Sequence, residues 1–260
     1  MRVLILCGGL GTRLREETEF RPKPMVEVGG HPILWHIMRG YARHGFNDFV
    51  LLLGYKGEHI KRYFLDYRVL TSDLTVKLGK PEVQFHAREK DLDWTVTMVD
   101  TGAKAMTGAR IARAAQHLDG DRFMVTYGDG VSDLDIGALT KFHASHGKLA
   151  TVTGVRPPAR FGDLTTDGDK VLRFAEKPHS AGGYINGGFF VFERKFLDYL
   201  STDESCTLEQ RPLEKLAQDD ELRMFAHDGF WHPMDTLRDT THLTELWNTG
   251  KAPWKTWQAP

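Results

Sequence analysis

A short apolar run that breaks directly into three glycines opens this chain, and that junction limits the possible folds more than any later segment. Arg2 to Leu6 (RVLIL) is long enough for a buried strand and too short to span a membrane. It runs into Cys7-Gly8-Gly9-Leu10-Gly11-Thr12-Arg13, and Pro22-Lys23-Pro24-Met25 follows closely. Glycines let a backbone approach a ligand and turn its N–H groups toward it, and such concavities bind anions. A guanidinium and a mobile ammonium beside that turn point to a polyphosphate, so the stretch reads as a nucleoside triphosphate cradle. On the turn alone, a dinucleotide site or a purely structural turn is an equal alternative. GGLGTR does not satisfy G-x-G-x-x-G in this register, however, and it lacks the GK[ST] ending of a P-loop. Prolines on both sides of Lys23 fix its backbone in a loop, which tips the reading toward nucleotidyl transfer.

Further along, strand and helix patterns alternate. His31-Pro32 opens a segment with Ile33, Leu34, Ile37, Met38 and Tyr41 at helical spacing, with Pro32 at the first helical position and Gly45 closing it. Phe49–Leu53 is a second strand, and a second helix carries Ile60, Tyr63, Phe64 and Tyr67 on one face. This order predicts an α/β fold with a parallel sheet and right-handed crossovers. Residues 69–100 break the alternation with three β-like runs, Leu74–Leu78, Val83–Phe85 and Thr95–Val99, an expected β excursion suited to contact with another subunit. Thr107-Gly108-Ala109-Arg110 then starts a helix. Its N-terminus could meet an anion, or Thr107 could simply be its cap.

Arg122–Thr126 is the next strand and ends in Tyr127-Gly128-Asp129-Gly130, where ligands of open parallel sheets bind. Asp129 is a candidate metal ligand there, with a turn-capping aspartate as the equal alternative. Asp133 and Asp135 read as turn and cap residues before a helix over 136–146, whose His143 and His146 read as surface histidines. Leu149–Val155 is a further strand, and 163–174 reads as a hairpin. Ala175-Glu176-Lys177-Pro178 and Ile185-Asn186-Gly187-Gly188 contribute an acceptor, a cation and an amide suited to a sugar phosphate. Helices are expected over 194–200 and 208–218, the second capped by Thr207, with a strand over 222–226. Asp235 lies in the aromatic loop 229–236, before a helix over 240–247 and a tryptophan-rich tail. With no repeat or flexible linker, residues 1–260 read as one domain, with 229–260 forming its C-terminal loop, helix and tail.

The 34 basic and 35 acidic residues leave a formal charge of −1, so no basic field points to nucleic acid. Two cysteines make no disulfide framework, and no apolar run suits a leader or a membrane span. A cytoplasmic enzyme is therefore expected. A sugar phosphate needs no general base, because its second pKa is about 6. Cations and positioning would do the work. Asp129 and Asp235 could share a Mg²⁺ with nucleotide phosphates, Arg13 would clamp the leaving phosphates, and Lys23 would meet the α-phosphate. No Ser-His-Asp or Cys-His arrangement supports a covalent route.

GGLGTR, PKPM, TGAR, YGDG, FAEKP and NGG, in that order, resemble the successive motifs of the sugar-nucleotide pyrophosphorylases. KPMVEVGGHPILWHIM, GYKGEHIKRYF, INGGFFVF, FWHPMDTLRD and GKAPWKTW extend the similarity from Leu4 to Trp257, closest to members that use CTP and glucose 1-phosphate. The resemblance implies a Rossmann-like, mixed but mainly parallel sheet flanked by helices, and a Mg²⁺-dependent step of nucleotide-sugar (O-antigen or deoxysugar) biosynthesis. It implies that Leu6, Gly8, Gly9, Leu10, Gly11, Thr12, Arg13, Lys23, Thr107, Arg110 and Gly128 bind the nucleotide. Lys23, Arg13 and Asp129 would be catalytic, Asp129 and Asp235 would bind the metal, and Tyr127, Glu176, Lys177 and Asn186 would face the sugar phosphate. It also implies a homo-oligomer. Departures are Cys7 for a usual alanine, Ala109 for a usual glycine, and Lys104-Ala105 for a serine pair. The same chemistry on UTP, dTTP or another sugar phosphate is the nearest rival, and a non-catalytic nucleotide sensor is the rival of another class. A sensor need not keep Lys23, Asp129 and Asp235 together. A Rossmann dehydrogenase would need a ribose-binding acid where the chain has Gly54-Tyr55-Lys56.

Overall fold

In the computed structural model, which describes residues 1–86, 92–157, 163–167, 170–175 and 183–257, the apolar N-terminal run is strand β1 (Arg2–Cys7), in the interior of the central sheet. A one-turn helix α1 (Arg15–Thr18) and a small ladder of β2 (Glu27–Val28) with β3 (His31–Pro32) lead into helix α2 (Ile33–Ala42). Strand β4 (Asp48–Leu53) and helices α3 (Gly57–Leu65) and α4 (Tyr67–Thr71) come next. After the hairpin β5 (Asp73–Lys77) and β6 (Glu82–His86), the chain returns through β7 (Thr95–Asp100). Helix α5 (Thr107–Arg113), strands β8 (Arg122–Tyr127) and β9 (Gly130–Ser132), helix α6 (Ile136–His146) and strand β10 (Ala150–Val155) follow. A second hairpin, β11 (Asp163–Asp167) with β12 (Lys170–Ala175), precedes β13 (Ile185–Asn186) and β14 (Phe190–Glu193). Helix α7 (Arg211–Gln218), strands β15 (Leu222–His227) and β16 (Trp231–Pro233), and helix α8 (Leu237–Asn248) complete the described elements.

Strand β1 pairs in parallel with β4 on one side and β8 on the other, and β7 extends the parallel run beyond β4. Antiparallel β14 joins β8 to β10, β15 lies parallel beyond β10, and β13 pairs with the end of β10. The sheet is mixed but mainly parallel, with helices on both faces. Alternation within the central strands divides the core into two layers, as the two-residue period of a strand requires. Val3, Ile5, Phe49 and Leu51 pack with Ile33, Ile37, Met38 and Tyr41 of α2. Leu4, Val50, Leu52, Phe123 and Val125 pack on the opposite face with Ile111 of α5, Phe196 and Leu216. The parallel strands all end at one edge, so the turns after Cys7, Leu53, Asp100 and Tyr127 are neighbours.

Several expectations need correction. Thr95–Asp100 is the parallel edge strand of the central sheet, so among the described residues of 69–100 the excursion is the 73–86 hairpin. Pro32 is the N-cap of α2 rather than its first residue, and Tyr67 starts a separate helix from Ile60 and Tyr63. Residues 194–199 form a 3-10 turn, and α7 starts at Arg211, where Pro212 suits the first turn, not after Thr207. Helix α8 starts at Leu237, behind a capping box between Thr236 and Asp239. His143 is buried and His146 half-buried, and both ring nitrogens facing Thr151 lie within hydrogen-bond distance of its Oγ1. They are packing groups rather than surface histidines. Asp135 caps α6 as expected, accepting from Ala138 N–H. The tail tryptophans pack at home: Trp254 is buried and donates from Nε1 to His36 Nδ1, 3.3 Å away.

Candidate active site

Three segments far apart in sequence meet beyond the carboxyl ends of β1 and β8. The prolines hold Lys23 in a tight 3-10 turn over 23–25, with Pro22 extended and Val26 N–H donating to the Lys23 carbonyl. Asp129 and Asp235 are brought together by the backbone. Strands β9 and β16 pair antiparallel with Gly130 opposite Pro233, and Met234 N–H donates to the Asp129 carbonyl at 2.7 Å. The α8 capping box then fixes the next residues, with the Asp239 carboxylate accepting from the N–H groups of Asp235 and Thr236. Into this corner Lys23 Nζ donates to Asp129 Oδ2 at 2.6 Å and to Asp235 Oδ1 at 2.7 Å.

The lysine side chain is 13% exposed. Burial alone would lower its pKa, but the charges and hydrogen bonds of Asp129 and Asp235 outweigh that, and the ammonium sits above the ordinary lysine value. An ammonium already lies between two hard carboxylates, where a cation suits the local charge. Among the described residues no group of three or more His, Cys, Asp and Glu gathers. Two aspartates with room for ligand and water oxygens fit Mg²⁺, which keeps several waters and favours oxygen donors, better than a zinc cage. Arg13 stands 78% exposed at the rim, with Nη1 3.4 Å from Asp235 Oδ2.

The glycine-rich turn forms the facing wall. Gly11 adopts φ +63°, the left-handed region, and Thr18 Oγ1 braces it from below by donating to its carbonyl. Gly8 permits the closest approach in the site: an added Cβ would stand 2.2 Å from Arg110 Cζ. Arg110 is buried, and its guanidinium donates to the carbonyls of Gly8, Leu53 and Gly102 and to Thr101 Oγ1. One cation thus ties together the ends of β1, β4 and β7. Cys7 beneath the turn is also buried. Burial, and the nearby Asp129 charge, push its thiol far up despite Arg110, so it packs as a small apolar group.

A cavity of about 340 Å³ collects most of the expected residues: Leu6, Gly8, Gly9, Gly11, Thr12, Arg13, Lys23, Thr107, Arg110, Tyr127, Gly128, Asp129 and Asp235. Leu10 is not in its lining and is 58% exposed. Asn186 joins through Tyr127, donating from Nδ2 to the phenol oxygen at 3.1 Å. Glu176 and Lys177 lie outside the described residues. Thr107 is not a cap: Met106 holds that position, and Thr107 Oγ1 donates to Glu209 Oε2 at 2.6 Å. Nor is the start of α5 an open anion site throughout, since Ala109 N–H donates to the Cys206 carbonyl. Glu209 belongs to none of the sequence motifs. It receives Tyr127 as well as Thr107, and no local pattern signals that contact. Burial first, and the Glu209 charge next, push the Tyr127 phenol far up, so it stays protonated.

The profile of the nucleotidyl transferase family matches residues 2–243 of this chain. Glucose-1-phosphate cytidylyltransferase of Salmonella typhi is 52% identical, over 99% of this chain and 100% of its own. A probable glucose-1-phosphate cytidylyltransferase of Bacillus subtilis (strain 168) is 43% identical, with the same coverage. Among solved structures, a putative glucose-1-phosphate thymidylyltransferase from Bacillus anthracis superposes with a TM-score of 0.68 at 17% identity, covering 100% of this chain and 98% of that one. HddC from Yersinia pseudotuberculosis superposes with a TM-score of 0.66 at 24% identity, covering 95% and 99%. At those identities the two structures bear on the fold alone.

Proposed function

The chain belongs to the nucleotidyl transferase family, and from that premise we propose that it transfers CMP from CTP to α-D-glucose 1-phosphate, giving CDP-glucose and pyrophosphate. One observation carries the transfer chemistry: Lys23 converges with Asp129 and Asp235 at a cavity walled by the glycine-rich turn. The choice of CTP and glucose 1-phosphate rests on whole-length identity with the cytidylyltransferase relatives.

The nucleotide would lie along Leu6 and the turn from Gly8 to Arg13, with backbone N–H groups and Arg13 toward the phosphates. The phosphate oxygen of the sugar phosphate attacks the α-phosphorus, and the bond to the pyrophosphate oxygen breaks. The attacking group is already largely dianionic, with a second pKa of about 6, so no residue need accept a proton. The obstacle is the approach of two polyanions. Lys23 is placed to offset charge on the α-phosphate and incoming oxygen. Asp129 and Asp235 would hold Mg²⁺, which supplies further neutralisation of phosphate oxygens when bound. Tyr127, Asn186, Glu176 and Lys177 would receive the sugar phosphate.

We place the reaction in the cytoplasm, where the free thiols of Cys7 and Cys206 stay reduced. No helix among the described residues is long and apolar enough to cross a membrane. A homo-oligomer is part of the same reading, supported by the exposed apolar Leu74, Val76 and Val83 of the β5–β6 hairpin. The test is pyrophosphate release with glucose 1-phosphate and Mg²⁺, offering CTP, UTP, dTTP, ATP and GTP separately. Release with CTP alone is expected. Release with another nucleotide discards the base assignment, and silence with all five overturns the reading.

A further inference from the structure

We propose that Glu209 is a positioning residue that joins the two halves of the pocket, holding Tyr127 and Asn186 on the sugar-phosphate side in register with Thr107 on the nucleotide side. The inference rests on the functional reading above and adds to it a residue outside both the cavity lining and the sequence motifs. Its basis is a chain of hydrogen bonds whose directions are all determined. A carboxylate only accepts, so the Tyr127 hydroxyl donates to Glu209 Oε1 at 2.6 Å and the Thr107 hydroxyl to Oε2 at 2.6 Å. The Thr107 oxygen in turn accepts Leu208 N–H at 2.9 Å.

With its proton committed to Glu209, the Tyr127 oxygen has only lone pairs to offer, and Asn186 Nδ2 donates into one of them at 3.1 Å. Gly188 N–H donates to Asn186 Oδ1 at 2.9 Å, which fixes the amide from its other end. Asn186 therefore holds its amide nitrogen toward Tyr127, in one orientation, as a donor. The segment bearing Glu209 is itself docked on α5, with Met106 N–H donating to the Glu204 carbonyl and Ala109 N–H to the Cys206 carbonyl. Thr107 and Tyr127 lie on the cavity wall, on separate elements, and one carboxylate spans them. Charge-assisted bonds of this length are stronger than neutral ones and set geometry more tightly. Alanine at 209 would free the Tyr127 proton to turn toward Asn186 Nδ2, donor against donor, and release the amide.

The test compares Glu209→Ala, Glu209→Gln, Tyr127→Phe and the Glu209→Ala/Tyr127→Phe double variant in steady-state pyrophosphate release. Glu209→Ala and Tyr127→Phe should each raise the KM for glucose 1-phosphate about ten-fold, with a smaller effect on the KM for CTP. The double variant should be no worse than the worse single, because both break one chain. Glu209→Gln, whose carbonyl can still accept from Tyr127 while its amide donates to Thr107, should return the sugar-phosphate KM to within about three-fold of the parent. If Glu209→Ala does not fold, Glu209→Gln and Tyr127→Phe carry the test between them. Equal KM values in parent and variants, multiplying effects in the double, or a glutamine variant as impaired as Tyr127→Phe would each overturn the role. A parent enzyme that releases pyrophosphate while Glu209 variants match it refutes this inference alone, whereas a silent parent refutes the functional reading as well.

Discussion

Lys23 Nζ lies 2.6 Å from Asp129 Oδ2, although 106 residues separate the two in sequence. The proline-flanked turn aims the lysine, and the β9–β16 ladder brings Asp235 to the same ammonium. A cation between two carboxylates in a partly enclosed corner is well placed to meet phosphate oxygens, because electrostatic interactions strengthen as water is excluded.

Replacing that lysine should therefore affect the chemical step more than binding. Lys23→Ala is expected to lower kcat about 100-fold or more while the KM for CTP changes by less than about five-fold. Steady-state kinetics with saturating glucose 1-phosphate decide it. An unchanged kcat with a raised KM would remove Lys23 from the transfer step.

Asp235→Asn takes one carboxylate from the corner and leaves in place both the Met234 N–H bond to the Asp129 carbonyl and the bond from its own N–H to the Asp239 carboxylate. The Mg²⁺ concentration for half-maximal rate should rise about ten-fold, with activity partly restored at high Mg²⁺. A Mg²⁺ titration identical to that of the parent enzyme would exclude Asp235 as a ligand.

Two buried histidines make stability depend on pH. His36 is pulled down to about 3 by burial, which outweighs its bond to the Val28 carbonyl. His143 is pulled down to about 4, again by burial, against the opposing pull of Glu193. Both are neutral in the fold, while in the unfolded chain they titrate near 6.5. The unfolded state thus binds more protons below that pH, and stability, complete above about 6.5, is lost as pH falls toward the folded values. The slope is about 1.4 kcal/mol per pH unit for each histidine. Urea midpoints measured between pH 8 and pH 5 should fall below pH 6.5; midpoints flat or rising on acidification would contradict the assignment.

Gly8 and Gly9 should respond differently to the same change. A Cβ on Gly8 meets the Arg110 guanidinium, which hydrogen bonds to Gly8, Leu53, Thr101, Gly102 and Ala103 hold in place, whereas a Cβ on Gly9 meets nothing within 4 Å. Gly8→Ala is expected to cost about 2 kcal/mol of stability and Gly9→Ala well under 1 kcal/mol. Chemical denaturation of the two variants side by side checks it, and equal losses would mean that Arg110 moves freely.

The central strands were legible because β1 and β4 are continuous apolar runs buried on both faces, a pattern that survives without tertiary information. Strand β7 was harder. It is an edge strand, half-exposed along Thr95–Asp100, and its polar alternation resembles the solvent-facing hairpin before it. The three charged residues of the corner could be singled out from their turns, but their meeting depends on the β9–β16 pairing, which neither short run announces. His143 reads as a surface histidine at helical spacing until Thr151 and Glu193 are packed against it. Arg110 and Glu209 show the same limit: their partners are carbonyls and hydroxyls on other elements, and those contacts exist only once the fold is built.

Following the nucleotide's α-phosphate to its destination tests the central reading most directly. With α-³²P-labelled CTP, glucose 1-phosphate and Mg²⁺, the label should move into a sugar nucleotide with the mass of CDP-glucose, leaving unlabelled pyrophosphate in equal amount. Label recovered only in CTP or free CMP, or in a product lacking glucose, would contradict the proposed transfer.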